Sequence, residues 1–150
     1  MISGWQEVLK DVISDVLETM FFSMVEFGDC GPADGGFDFG SEIQLLNHTG
    51  RTAISLRVSE IFARMITANF LGIEESQVTD DDLSDSLKEL ANMVGGGYHA
   101  RIKEAGWRLG MPKVWKIDPG SVDTTQLAGE LDFGFFGEPA GSAVVNQLPD

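Results

Sequence analysis

The order of its periodic segments constrains the fold of this chain more than any other feature of the sequence. Apolar residues near the N-terminus recur at three- and four-residue intervals, which predicts an amphipathic helix over residues 3 to 25. Two strand-like runs, residues 41 to 47 and 51 to 59, then predict a hairpin with a slightly long turn at residues 48 to 50. Two helices and a further group of strands follow. Because helices and strands do not alternate, a doubly wound parallel sheet is disfavoured.

Two helices are predicted between the hairpin and the final strands. Ser59 can cap a helix over residues 60 to 71 that ends at Gly72. Thr79, followed three residues later by Asp82, resembles a capping box that opens a long helix over residues 80 to 105. The inward-facing positions that we expect are Ile61, Met65, Ile66 and Phe70 in the first of these helices, and Leu83, Leu87, Leu90, Val94 and Tyr98 in the second.

The C-terminal third reads as strands. Residues 113 to 118 and 127 to 136 are strand-like, and residues 143 to 145 could add a short third strand. Residues 28 to 40, rich in glycine, predict an irregular loop. We therefore expect one domain over residues 1 to 150, of α/β class and α+β type. An antiparallel or mixed sheet is covered in it by two long helices and one shorter helix.

The charge balance disfavours several classes of partner. The chain has 24 acidic and 10 basic residues, a formal net charge of -14, which repels nucleic acid and anionic lipid surfaces. No apolar run approaches the roughly 18 residues needed to span a bilayer, and the N-terminus is too acidic for a secretion signal. We expect a cytoplasmic protein with no nucleic-acid or membrane partner.

One face of the long predicted helix carries polar groups. At about 100° per residue, Asp85, Glu89, Asn92 and Gly96 fall opposite the apolar stripe. Glu89 and Asn92 are one turn apart, so a carboxylate and an amide stand side by side and point away from the core. An isolated E-x-x-N of this kind is most often a solvated helix face, so the spacing alone does not establish a site.

Three consecutive glycines, Gly95 to Gly97, follow on the same helix. Each glycine in a helix interior costs roughly 1 kcal/mol relative to alanine. One interpretation is that the helix stops here with a glycine cap and restarts at Tyr98. The other is that bare backbone lets a partner approach closely beside Asn92.

Other site chemistries find little support. A calcium loop starting at Asp80 lacks a glycine at its sixth position and has Ala91 where a bidentate glutamate belongs. The acids at the helix start are better explained by the helix dipole. His48 and His99 are far apart in sequence, and the chain has no Walker loop, G-x-S-x-G motif or paired cysteines. We therefore expect no metal site and no cofactor of the chain's own.

A longer stretch carries a resemblance to a known family. Residues 85 to 94, DSLKELANMV, resemble the signature of the CheX and CheC chemotaxis phosphatases, D/S-x3-E-x2-N followed by small residues. Residues 16 to 21, VLETMF, resemble the opening helix of CheX-like chains. CheC-like chains carry two copies of the motif, whereas here Phe21 replaces the asparagine of a second copy that begins at Ser14. The resemblance therefore implies a CheC-like fold with one active site, as in CheX.

The resemblance also implies an activity and a partner. CheX-like proteins dephosphorylate the phosphoaspartate of CheY-like response regulators, whose receiver domain supplies Mg2+ and a lysine. By this resemblance Asn92 positions the attacking water, Glu89 pairs with the receiver lysine, and Asp85, Gly95 and Gly96 contact the partner. CheX-like proteins form homodimers through their sheets, so a homodimer is expected. Two alternatives remain: a non-catalytic module that binds a receiver through the same face, and a sheet-mediated dimer with no receiver partner.

Overall fold

Helix α1 spans Trp5–Met20 in the computed structural model, which describes residues 4–28, 36–102, 106–118 and 131–148. Most of its apolar stripe is buried, as the spacing predicts, whereas Met20 at its end is exposed. The prediction that the helix continues to residue 25 was wrong. Phe22 has a left-handed φ of 53°, and the Ser23 amide donates back to the Leu17 carbonyl at 2.9 Å. A residue in that conformation cannot continue a right-handed helix, so α1 ends there.

Within the described residues one sheet forms, and all its neighbouring strands are antiparallel. The strands are β1 (Glu26–Phe27), β2 (Phe39–Asn47), β3 (Gly50–Val58), β4 (Arg108–Leu109), β5 (Lys113–Lys116), β6 (Leu131–Phe135) and β7 (Glu138–Leu148). Their order in the sheet is β1-β6-β7-β3-β2-β4, and β5 also pairs with β2. This arrangement confirms the antiparallel sheet and the α+β type expected from the order of segments.

The hairpin between β2 and β3 has a shorter turn than the sequence suggested. Asn47 pairs with Gly50, so only two residues connect the strands, and the Asn47 side chain accepts from the Thr49 amide at 2.8 Å. Such a side-chain bond closes the turn locally. β2 begins at Phe39, inside the predicted loop of residues 28 to 40, of which residues 29–35 lie outside the described part.

The last strand is the largest difference from the sequence prediction. Instead of a short strand at residues 143 to 145, β7 has 11 residues and lies between β6 and β3. Its first half is built from small residues and proline, which have weak strand propensity. Gly141 is required there by packing, because a Cβ would collide with the Arg57 carbonyl oxygen and the Phe133 ring. Residues 127–130 of the predicted preceding strand lie outside the described part.

Helix α2 spans Glu60–Leu71 and begins and ends as predicted. The Ser59 hydroxyl accepts from the Phe62 amide at 3.1 Å, and Gly72 closes the helix with φ 69°. The inward position predicted for Ile61 was wrong. Its side chain is 84% exposed, whereas the next residue, Phe62, is buried against the sheet. The other predicted positions do face the core: Ile66 is fully buried, and Met65 and Phe70 are partly buried against it.

Helix α3 spans Asp80–Ile102, and residues 103–105 of its predicted end lie outside the described part. Its start is the predicted capping box, since Thr79 and Asp82 exchange side-chain to backbone hydrogen bonds of 3.0 Å each. The helix runs without interruption through Gly95 to Gly97, so the interpretation in which it stops at the glycines was wrong.

The three helices cover one face of the sheet, with α3 packed between α1 and α2 and lying over β2. Residues that point to this face from the strands share one core with the helices. The two longer helices and the shorter α2 thus match the expected architecture. The buried residues of α3 include all five that the sequence placed inward: Leu83, Leu87, Leu90, Val94 and Tyr98.

Candidate functional site

The solvent-facing side of α3 carries the polar residues singled out from the sequence. Asp85, Glu89 and Asn92 are all exposed, while Leu87 and Leu90 between them are buried. The core contacts of these leucines fix the rotation of the helix, so the polar groups must point outward. The geometry therefore presents a carboxylate and an amide to solvent from a rigid, packed helix.

The exposed residues cluster on a narrow strip. At about 100° per residue, Asp85 and Gly96 lie within about 40° of Asn92 around the helix axis, and Glu89 lies about 60° away. In the described part of the chain no hydrogen bond or ion pair engages the side chains of Glu89 and Asn92. Both groups are free to form hydrogen bonds with another molecule.

The three glycines of α3 have different surroundings. A Cβ on Gly95 would lie 2.9 Å from Ile43 Cγ2 and 3.1 Å from Leu109 Cδ2, and a Cβ on Gly97 would lie 2.9 Å from Val12 Cγ1. Both glycines therefore allow α3 to approach its neighbours closely. Gly95 is buried, so its backbone packs against the sheet instead of facing solvent.

Gly96 differs from its two neighbours. A Cβ there would meet only Leu109 Cδ1, at 3.9 Å, which is an ordinary contact distance. Packing thus gives no reason for glycine at this position, although glycine costs roughly 1 kcal/mol relative to alanine in a helix interior. Gly96 is also the glycine that shares the strip with Asn92.

The helix that carries this strip is held at both ends. The capping box at Thr79 and Asp82 fixes its start. Near its other end Arg101 forms an ion pair with Asp15 of α1 and donates to the Gly97 carbonyl at 3.2 Å. With α2 and β2 packed against its length, α3 offers a pre-organised surface.

Lys88 is a residue of the strip that the sequence analysis missed. It is exposed and lies one turn before Asn92, within about 40° around the helix axis. No ion pair to Lys88 occurs among the described residues, even though acidic side chains lie close by on the same helix. The i, i+4 spacing from Asn92 would have identified it.

The second, degenerate copy of the motif on α1 is not a second site. Phe21, at the position of the asparagine, is fully buried and stacks on Phe70 with ring centroids 4.8 Å apart. It is a core residue at the end of α1. Glu18 of the same copy is exposed, but Phe21, three residues later, offers no amide beside it.

Neither a candidate metal centre nor a helix able to span a membrane occurs in the described ranges. No cluster of three or more histidine, cysteine, aspartate or glutamate residues has the geometry to hold a metal ion there. Among the helices described, none combines the length and the apolar character that a bilayer span requires.

The α3 strip lies within a region of the chain that matches a known protein family. The model of the family described as "Chemotaxis phosphatase CheX" matches residues 43–135, a range that includes the whole of α3 and most of the hairpin beneath it. No curated protein sequence gives a significant match to the chain.

Solved structures share the fold over nearly the whole chain. A chemotaxis protein CheX from Vibrio vulnificus superposes with a TM-score of 0.75 at 19% identity, covering 96% of this chain and 97% of that one. A CheX from Desulfovibrio desulfuricans gives 0.75 at 16% identity, covering 97% and 100%. The CheX of a CheX-CheY-BeF3-Mg2+ complex from Borrelia burgdorferi gives 0.72 at 14% identity, covering 97% and 98%. At these identities the likeness establishes the fold.

Proposed function

Because the chain belongs to the CheX family of chemotaxis phosphatases, we propose that it hydrolyses the phosphoaspartate of a CheY-like receiver domain through the exposed strip of α3. The observation that supports this most directly is that Glu89 and Asn92 face solvent side by side on a packed helix, free of hydrogen bonds within the described residues. The Borrelia burgdorferi relative, solved in complex with CheY, BeF3 and Mg2+, supports the choice of partner.

The reaction needs little from this chain beyond positioning. The oxygen of a water forms a bond to phosphorus while the bond from phosphorus to the aspartate oxygen breaks, and the carboxylate leaves with the electron pair. The water's proton passes to the released phosphate or to solvent. Asn92 has both an amide donor and a carbonyl acceptor, so it can hold the water in line with the leaving oxygen. The magnesium ion and the lysine belong to the receiver.

Glu89 supplies the second contact in this proposal. Its carboxylate, one turn before Asn92, would pair with the receiver lysine and set the depth at which Asn92 enters the site. Asp85 and Gly96 extend the contact along the strip. Gly95 was expected to join them, but it is buried on the sheet-facing side of α3, where its role is to let the helix pack closely against Ile43 and Leu109. No cofactor of the chain's own is required.

The proposal is tested by the decay of a phosphorylated receiver domain from the same organism, alone and with wild-type, Asn92→Ala and Glu89→Ala proteins. Accelerated decay that Asn92→Ala abolishes supports the phosphatase. Glu18→Ala, which removes the exposed glutamate of the degenerate copy on α1, is the matched control for loss of a surface carboxylate. Decay that wild-type protein does not accelerate, with several receivers tried, contradicts the proposal.

A non-catalytic module that binds a receiver is the second possibility, and the same exposed strip favours it. Binding to the receiver with beryllofluoride, a stable mimic of the phosphoryl group, separates the two. A module would bind without accelerating decay, and Asn92→Ala would leave its affinity nearly unchanged while Glu89→Ala lowers it. If the protein is a phosphatase, Asn92→Ala abolishes the accelerated dephosphorylation of the receiver, whether or not the affinity for the receiver changes.

We also propose a homodimer formed through the sheet. All three helices lie on one face, and on the opposite face the Trp115 indole, 43% exposed, lies across Gly40. A half-exposed tryptophan on a sheet face is a common interface residue. Sedimentation equilibrium should give a dimer that Trp115→Glu weakens, and a monomer at all micromolar concentrations contradicts this.

With a CheY-like partner, the proposed location is the cytoplasm. A sheet-mediated dimer without a receiver partner would leave both α3 substitutions without effect.

A further inference from the structure

A groove distinct from the α3 strip lies between the start of α2 and the hairpin that joins β6 to β7. Its volume is about 630 Å3, within the range of roughly 300 to 1,000 Å3 typical of binding sites. We call it the α2 groove. Its apolar lining comes from Phe37, Ile61, Phe62, Met65, Phe135 and Phe136.

Two of these apolar side chains are almost fully exposed to solvent. Ile61 is 84% exposed and Phe136 is 85% exposed, and both lie at the edge of the same groove. The apolar pattern of α2 predicted Ile61 to face the core, so the helix carries more apolar surface than its own domain buries. Side chains of this kind that surround a concave surface mark an interaction site.

Phe136 is also held in an unfavourable backbone conformation. Its φ is 51°, and Gly137 follows with φ 81°, the pair of left-handed residues that a two-residue hairpin turn uses. Asparagine is the usual residue at the first position, and a bulky aromatic residue is rare there. This backbone conformation holds the Phe136 ring beside the Phe135 ring, with the two ring centroids 4.5 Å apart, at the mouth of the groove. Folding alone does not explain this choice of residue.

The charged residues that line the groove are all acidic. Asp38 and Glu138 are its charged members, both exposed, and none of its described lining residues is basic. One oxygen of Asp38 accepts from the Glu60 amide at 2.8 Å, which caps α2 without removing the charge. Arg64, three residues after Ile61, donates to the Val78 carbonyl at 3.0 Å and lies 3.5 Å from Glu60. The acidic groups are therefore not neutralised by it.

We propose that the α2 groove binds a cationic amphipathic helix of a partner protein. Apolar side chains at i, i+3, i+4 and i+7 of that helix would fill the groove between Ile61 and Phe136, and its lysines or arginines would face Asp38 and Glu138. A second copy of this chain fits less well, because a symmetric contact through the groove would bring Asp38 and Glu138 of one copy against the same carboxylates of the other.

The test uses a fluorescein-labelled leucine-lysine peptide of about 18 residues with leucines at helical spacing, and its leucine-glutamate counterpart. Fluorescence anisotropy with the full chain should show saturable binding of the first peptide only. Phe136→Asn, which suits the turn and should preserve the fold, is expected to weaken binding at least about tenfold, and Ile61→Ser similarly. Glu138→Gln should weaken it about two- to fivefold.

Met111→Ser is the matched control, since Met111 is 82% exposed and lies outside the groove. It should leave the affinity for the leucine-lysine peptide unchanged, and Phe136→Asn should leave receiver dephosphorylation unchanged. If the leucine-lysine peptide binds all variants with equal affinity, it adheres to the acidic surface in general, and the proposal is overturned. So does a dimer that dissociates when Phe136 or Ile61 is replaced, because the groove would then hold a second copy.

Discussion

Replacing Gly96 by alanine tests the distinction between packing and contact on α3. Alanine gains about 1 kcal/mol over glycine in a helix interior, and the added Cβ meets only Leu109 Cδ1 at 3.9 Å. The free energy of unfolding of Gly96→Ala should therefore rise by about 1 kcal/mol. For a chain of this size that corresponds to a rise in Tm of about 2 to 4 °C. Urea denaturation and a thermal scan measure the two quantities independently.

Gly95→Ala is the matched control and should behave in the opposite way. Its Cβ would lie 2.9 Å from Ile43 Cγ2 and 3.0 Å from Ile43 Cγ1, inside the contact distance of real side chains. Overpacking of this kind costs about 1 to 3 kcal/mol, which exceeds the gain in helix propensity. We expect Gly95→Ala to lower the free energy of unfolding by up to about 2 kcal/mol.

The same pair separates stability from function. If Gly96 offers bare backbone to the receiver, the more stable Gly96→Ala protein should need about tenfold more receiver to reach half its maximal rate, a loss of about 1.4 kcal/mol in binding. A Gly96→Ala protein that is destabilised, or a Gly95→Ala protein that is equally stabilised, would refute the packing argument. Unchanged half-saturation would refute the contact argument alone.

Three further substitutions test local features of the fold, each by urea denaturation. Ser59→Ala removes the hydroxyl that accepts from the Phe62 amide and should cost about 1 kcal/mol, most of which Ser59→Thr should retain. Phe22→Asn should gain about 1 kcal/mol, because φ is 53° at an exposed residue, whereas Met24→Asn, with the same 72% exposure, should not. Ser86→Ala should be neutral or stabilising by up to about 1 kcal/mol, since this buried hydroxyl has no hydrogen-bond partner among the described residues. A clear loss would point to an unseen partner.

The sequence correctly predicted those features of the fold that depend only on residues close together in the chain. The Ser59 cap, the Gly72 stop and the box at Thr79 and Asp82 were all found where their spacing placed them. Each is a hydrogen bond between residues three or four apart, so the chain pattern contains the whole interaction. The apolar stripe of α3 was correct for the same reason.

The features that the sequence did not predict depend on distant contacts. Nothing near Ile61 indicates that the sheet accepts Phe62 in its place, and nothing near Gly141 indicates the Phe133 ring that makes glycine necessary. The length of β7 follows from its position between two strands, which supply hydrogen bonds to residues of weak strand propensity.

The candidate site falls between these two cases. Periodicity alone placed Glu89 and Asn92 on the exposed face of α3, and the structure agrees with that placement. Periodicity also placed Gly96 on that face, but it could not show that packing requires glycine at Gly95 and Gly97, because that requirement comes from Ile43, Leu109 and Val12 on other elements. The roles assigned to the site residues remain predictions.

The central claim is that Asn92 accelerates hydrolysis by positioning a water, and the maximal rate tests it most directly. Dephosphorylation of a phosphorylated receiver is followed in single turnover over a range of excess concentrations of wild-type and Asn92→Ala proteins. We expect the maximal rate to fall about 100- to 1,000-fold, about 3 to 4 kcal/mol of barrier, with little change in the half-saturating concentration. An Asn92→Ala protein that keeps the wild-type maximal rate would contradict the account.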